Sequence, residues 1–168
     1  GQRVDGNQDI AIGFEAGSDV TGDQNTALGN QAGTFIRGNF NTSIGHQANN
    51  LVAQDDLSRA TSVGANSSAG TEGTSLGYQA SALAQGAAFG SGAGAGEGSV
   101  AIGFNTSATG GDIALGTGST ALASDKNGTG YITGSAFNGT VLSIGNSGGS
   151  DVQRRIVNVA DGANEYDA

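Results

Sequence analysis

The chain is 168 residues long, a one-domain length, with 32 glycines and no proline, cysteine, methionine or tryptophan. Its net charge is −9, and its six Lys and Arg residues are scattered, which excludes a basic nucleic-acid groove; the absence of cysteine excludes disulfides, thiolate metal sites and a cysteine nucleophile. Leu, Ile, Val and Phe together number 32, too few for a thick globular interior, and no apolar run is long enough to cross a bilayer as a helix.

In chain order, a small residue, an aliphatic residue or Phe, and then Gly recur. The instances are Ala11-Ile12-Gly13, Ala27-Leu28-Gly29, Ser43-Ile44-Gly45, Ser62-Val63-Gly64, Ser75-Leu76-Gly77, Ala88-Phe89-Gly90, Ala101-Ile102-Gly103, Ala114-Leu115-Gly116 and Ser143-Ile144-Gly145. The glycines are spaced by 16, 16, 19, 13, 13, 13, 13 and 29 residues. Another apolar or β-branched residue mostly stands two positions before each aliphatic one, so each instance has strand periodicity. A second short element follows, such as Ala80–Ala84 or Ser107-Ala108, and then a Gly, Asn or Asp turn.

Thirteen residues with two short strands and two turns make one coil of a parallel β-solenoid, with coils about 4.8 Å apart. The repeated glycines are expected at the tight corners. Ile12, Leu28, Ile44, Val63, Leu76, Phe89, Ile102, Leu115 and Ile144 are expected to fill the coil interior. The Ala/Ser column then faces a neighbouring chain or solvent. So thin a solenoid buries little per coil and is expected to self-associate along an axis parallel to itself.

The repeats resemble the YadA-like head of trimeric autotransporter adhesins. Ser99-Val100-Ala101-Ile102-Gly103 carries the resemblance at all five positions, with Asp112–Gly116 and Asp9–Gly13 close behind, over about residues 7–125. At the C-terminus, Arg154-Arg155-Ile156-Val157-Asn158-Val159-Ala160-Asp161-Gly162, followed by Asp167-Ala168, resembles the start of that family's neck. The resemblance implies an all-β, left-handed parallel β-roll in a homotrimer, ending in a neck that gathers the head onto a stalk with an outer-membrane anchor beyond. It implies a non-enzymatic role at the bacterial cell surface, attaching to host extracellular matrix, cells or abiotic surfaces. It implies no cofactor, no nucleic-acid partner, and no membrane contact within this stretch. The expected organisation is head repeats over 1–125 with an insertion at 49–60, a head insertion over 126–140, a last coil over 141–153 and the neck start over 154–168. The chain reads as a piece of something longer. Similar repeats occur in phage tail fibres, so a fibre shaft or receptor-binding solenoid is the alternative.

Chemistry-bearing candidates are few. The single histidine, His46, follows a corner glycine in a column that elsewhere holds Phe14, Asn30, Ala65, Tyr78, Ser91, Phe104 and Thr117. Such variety marks a surface position, and no partner cluster points to catalysis or a metal. Phe14, His46, Tyr78 and Phe104, with Tyr131 in the insertion, are the ligand-contact candidates; covering chain–chain seams is the other role open to the rings. Asp55-Asp56 lacks the spacing of a Ca²⁺ loop, and Gly90–Gly96 lacks the Lys and helix of a phosphate cradle. Arg154 and Arg155 are expected to pair across chains or to bond neck carbonyls. A hexapeptide-repeat acyltransferase does not fit a period of 13, nor a glycan-cleaving solenoid the dispersed acids. Thr26, Thr42, Thr61 and Thr74 share a column but form no Thr-x-Thr ranks suited to ice.

Overall fold

A computed structural model describes residues 4–50, 57–129, 136–146 and 153–157. The first three strands are β1 (Ile10–Ile12), β2 (Thr26–Leu28) and β3 (Thr42–Ile44). From β4 (Thr61–Val63) onward the chain alternates between two sheets. It runs through β5 (Ser68–Ala69), β6 (Thr74–Leu76), β7 (Ser81–Ala82), β8 (Ala87–Phe89), β9 (Gly94–Ala95), β10 (Val100–Ile102), β11 (Ser107–Ala108), β12 (Ile113–Leu115) and β13 (Thr120–Ala121). A 3-10 turn (Ala123–Lys126) leads into β14 (Asn127–Thr129), which pairs antiparallel with β15 (Ala136–Asn138); β16 (Leu142–Ser143) then rejoins the stack. One parallel sheet has the order β1-β2-β3-β4-β6-β8-β10-β12-β16 and the other β13-β11-β9-β7-β5. Register is strict: Val100 aligns with Ala87 and Ile113, and Ile102 with Phe89 and Leu115. The architecture is a β-solenoid of about eight turns, wound first in 16-residue and then in 13-residue coils.

The interior is the reverse of the expectation. The middle residue of each strand in the large sheet points inward: Ala27, Ser43, Ser62, Ser75, Ala88, Ala101 and Ala114 are all buried. From the other sheet Ala69, Ala82, Ala95, Ala108 and Ala121 meet them. The residues expected inside face outward instead. Ile12 is 60% exposed, Leu28 41%, Leu76 47%, Ile102 39% and Leu115 44%, while Ile44, Val63, Phe89 and Ile144 are half-buried. In the 13-residue coils the reason is steric, because the two sheets lie so close that only a methyl or a hydroxymethyl fits between them; in the 16-residue coils β1–β3 keep the same register and face, with Ala27 and Ser43 inward and Ile12 and Leu28 outward. The wider coils near the N-terminus do admit branched side chains, and Val20, Ile36 and Leu57 pack there with Ala60 and Ala69.

Three serines in this alanine interior form a chain of hydroxyls. Ser75 Oγ donates to Ser62 Oγ (3.2 Å), which lies 2.7 Å from Ser67 Oγ, and Ser67 Oγ donates to the Gly64 carbonyl (2.8 Å). A second buried ladder runs along one corner of the wide coils. The Asn25 N–H donates to Asp9 Oδ1 (2.7 Å), the Asn41 N–H to Asn25 Oδ1 (3.1 Å) and the Ala60 N–H to Asn41 Oδ1 (3.0 Å). Asn41 Nδ2 also donates to the Leu57 carbonyl at 2.6 Å. Asn41→Ala strands the Ala60 N–H and the Leu57 carbonyl in a buried place, while Asn25 Oδ1 keeps the backbone N–H of residue 41. It is expected to cost about 1–3 kcal/mol, read as a lower midpoint in thermal unfolding.

The corners need backbone that side chains resist. Gly13, Gly29, Gly45, Gly64, Gly77, Gly90, Gly103 and Gly116 all have φ between 99° and 138°. Each corner holds a second left-handed residue two positions on, and this one is usually not glycine: Gln31, Gln47 and Gln79 at 54°, Asn66 at 56° and Asn105 at 50°. That conformation costs a residue with a Cβ roughly 1–2 kcal/mol. Stacked side-chain bonds offset part of the cost in the wide coils, where Gln31 Nε2 donates to Glu15 Oε2 (2.7 Å) and Gln47 Nε2 to Gln31 Oε1 (3.0 Å).

Candidate binding face

Because the Ala/Ser column faces inward, period-2 alternation forces its two flanking columns outward. One flank reads Ile10, Thr26, Thr42, Thr61, Thr74, Ala87, Val100, Ile113, Leu142. The other is the aliphatic column from Ile12 to Leu115, continued past β16 by Ile144. The second column is apolar on every rung, while the first carries threonine on four successive rungs and apolar side chains on the others. An exposed apolar column of that length marks an interaction surface.

Along its corner edge runs the column that follows each glycine. Phe14, His46, Tyr78 and Phe104 are exposed there. Backbone bonds hold the column in line from coil to coil: the Gln31 N–H donates to the Phe14 carbonyl, Asn66 to His46, Gly92 to Tyr78 and Gly118 to Phe104, all at 2.8–2.9 Å. Tyr131 lies outside the described residues. The left-handed amide column one residue further on escaped the sequence reading. Its signal was present as a Gln, Asn, Glu or Gly recurring two positions after each corner glycine.

At the C-terminal end, the partners of Arg154 among the described residues are a hydroxyl and two carbonyls, not an acid. Its Nη1 donates to Ser119 Oγ (2.9 Å) and the Ile144 carbonyl (2.8 Å), and its Nη2 to the Thr117 carbonyl. The guanidinium therefore ties the segment after the last coil to carbonyls of the coils themselves. Arg155 and Ile156 are exposed; Asn158, Val159, Gly162 and Asp167 lie outside the described residues. The described residues contain no group of three His, Cys, Asp or Glu side chains suited to a metal ion. On the surface, Gln85 and then Arg59 hold the Glu72 carboxyl below its ordinary range, through the Gln85 Nε2 bond at 3.0 Å and a salt bridge to Arg59. This is a rung-to-rung ladder and not an acid–base pair.

These features define a parallel β-solenoid with an outward aliphatic column running along its larger sheet. The same fold is found in the crystal structure of the collagen-binding domain of the Yersinia adhesin YadA. The two superimpose with a TM-score of 0.58 at 17% identity, over 96% of this chain and 92% of that one. No family model matches the chain, and no curated protein matches it by sequence. The chain thus has the YadA-head fold.

Proposed function

We propose that the chain is the non-enzymatic head of a homotrimeric surface adhesin, with its neck beginning at Arg154 and its anchor in a bacterial outer membrane. The outward aliphatic column carries this reading. Fully burying one medium aliphatic side chain is worth about 1.5–3 kcal/mol, and nine rungs present at least one each. Three copies packed about an axis parallel to the solenoid cover that column on every rung and leave the second sheet outward. The alanine interior supports the same conclusion, because a lone chain has little else to bury. The fold shared with an adhesin domain that binds collagen supports a matrix protein as the target class.

Sedimentation equilibrium tests the assembly. The expected mass is three times 16.3 kDa. Leu76→Asp together with Ile102→Asp places a charge against the axis on two rungs and is expected to yield monomer that melts at least 10 °C lower. Binding of the trimer to immobilised collagens and other matrix proteins tests the role. A wild-type chain that sediments as a folded monomer at micromolar concentration overturns the trimer, and turnover of any substrate overturns the non-enzymatic reading.

A further inference from the structure

The column beside the aliphatic one alternates with a period of two coils. In coil order its residues are Phe14, Asn30, His46, Ala65, Tyr78, Ser91, Phe104 and Thr117. Every odd position carries a flat ring, and every even one a small or short polar side chain. Phe14 is 68% exposed, Tyr78 53% and Phe104 54%. Coils stack about 4.8 Å apart, so neighbouring rings recur about every 9.6 Å, and the four span about 29 Å. The adjoining left-handed column supplies carboxamides at Gln31, Gln47, Gln79 and Asn105.

We propose that this row of rings is a docking track for an extended β-linked polysaccharide. In a β-1,4-linked chain of hexopyranoses, successive sugars are flipped, so the same apolar C–H face recurs once per disaccharide, a repeat close to two coils. Each ring stacks on one such face. The small residues between rings leave room for the flipped sugar, and the carboxamides bond its hydroxyls. The adjoining column carries one carboxylate, Glu15 beside the first ring, which accepts from Gln31 Nε2; from Asn30 to Thr117 neither column carries one, which suits a neutral chain. An extended peptide repeats every two residues at about 6.6 Å and does not match. A polyproline helix repeats at about 9.3 Å, but it is held between paired aromatics that form grooves, whereas here one ring stands alone on every second coil. The proposal needs only the solenoid register and does not rest on the trimer.

The test is calorimetric titration of the full chain with cellohexaose and with chitohexaose, long enough to span three rings. One of the two is expected to bind. Tyr78→Ala with Phe104→Ala is expected to weaken it at least about tenfold. Tyr78→Ser with Ser91→Tyr keeps the composition but moves one ring by one coil, and is expected to weaken it as much. The thermal midpoint and sedimented mass of both variants should stay at the wild-type values. Four results overturn the proposal: neither hexasaccharide binds; the variants bind as well as wild type; the variants lose mass, which makes the rings subunit contacts; or a triple-helical proline-rich peptide binds in a ring-dependent way and the sugars do not.

Discussion

Gly90→Ala is expected to lower the stability of the chain by about 3 kcal/mol or more. Gly90 has φ of 134°, and a Cβ built there would lie 2.4 Å from the Gly103 carbonyl oxygen and 2.6 Å from its carbon. Both atoms are backbone of the next coil, so neither can rotate away. Relief requires the two coils to separate, and that breaks the ladder bond from the Gly103 N–H to the Phe89 carbonyl (2.8 Å). Gly98→Ala is the internal control. Gly98 is also left-handed, with φ of 63°, but a Cβ there meets nothing within 4 Å. Its cost is the conformational one alone, roughly 1–2 kcal/mol. Thermal or denaturant unfolding of the two variants at equal protein concentration separates clash from backbone preference. Equal losses would show that the close approach between coils contributes nothing.

Ala101→Leu is expected to be as damaging, at about 3 kcal/mol. Ala101 is fully buried, stacked between Ala88 and Ala114 in register. Across the interior the column holds Ala95 and Ala108, both buried. No neighbour in this cluster carries a side chain that can change rotamer to make space, because alanine has none. The added atoms must push the sheets apart, and the strain spreads to the coils above and below. The same enlargement one position away, Val100→Leu on the outward column, should be tolerated by the single chain. Its effect would appear in assembly. A small change in the unfolding midpoint for Ala101→Leu would contradict the steric account of the interior.

These two expectations divide what was readable from what was not. The period of 13, the parallel stacking and the corner glycines follow from recurrence alone, since a fixed repeat of strand and turn leaves one economical way to wind. Period-2 alternation also separates the two faces of each strand, but it does not say which face is inside. Hydrophobicity voted for Leu76 and Ile102, and size decided otherwise. A column that never exceeds serine in volume, beside one that ranges from valine to phenylalanine, is the mark of a steric ceiling. Phe89 next to Ala88 states it most sharply. The wide coils show the converse: with three more residues per turn, Val20 and Ile36 go inside.

The role of Arg154 was equally out of reach. A pair of arginines before an aliphatic run suggests cross-chain acids or neck carbonyls as partners, yet the carbonyls that Arg154 reaches belong to Thr117 and Ile144, more than thirty and about ten residues upstream in the chain. Only the winding of the coils brings them to one edge. The even beat of rings along the corner depends on the same fact, because residues 13 to 19 positions apart become neighbours about 4.8 Å apart only once the register is set.

By itself, then, the sequence determined the winding: a repeat of small residue, aliphatic residue and glycine admits a stacked parallel coil and little else. The tertiary structure decided the direction each column faces. The distance between two sheets is a property of the closed coil, and that distance, set by three residues more or fewer per turn, decides whether the interior holds only methyls and hydroxymethyls or whole aliphatic side chains as well.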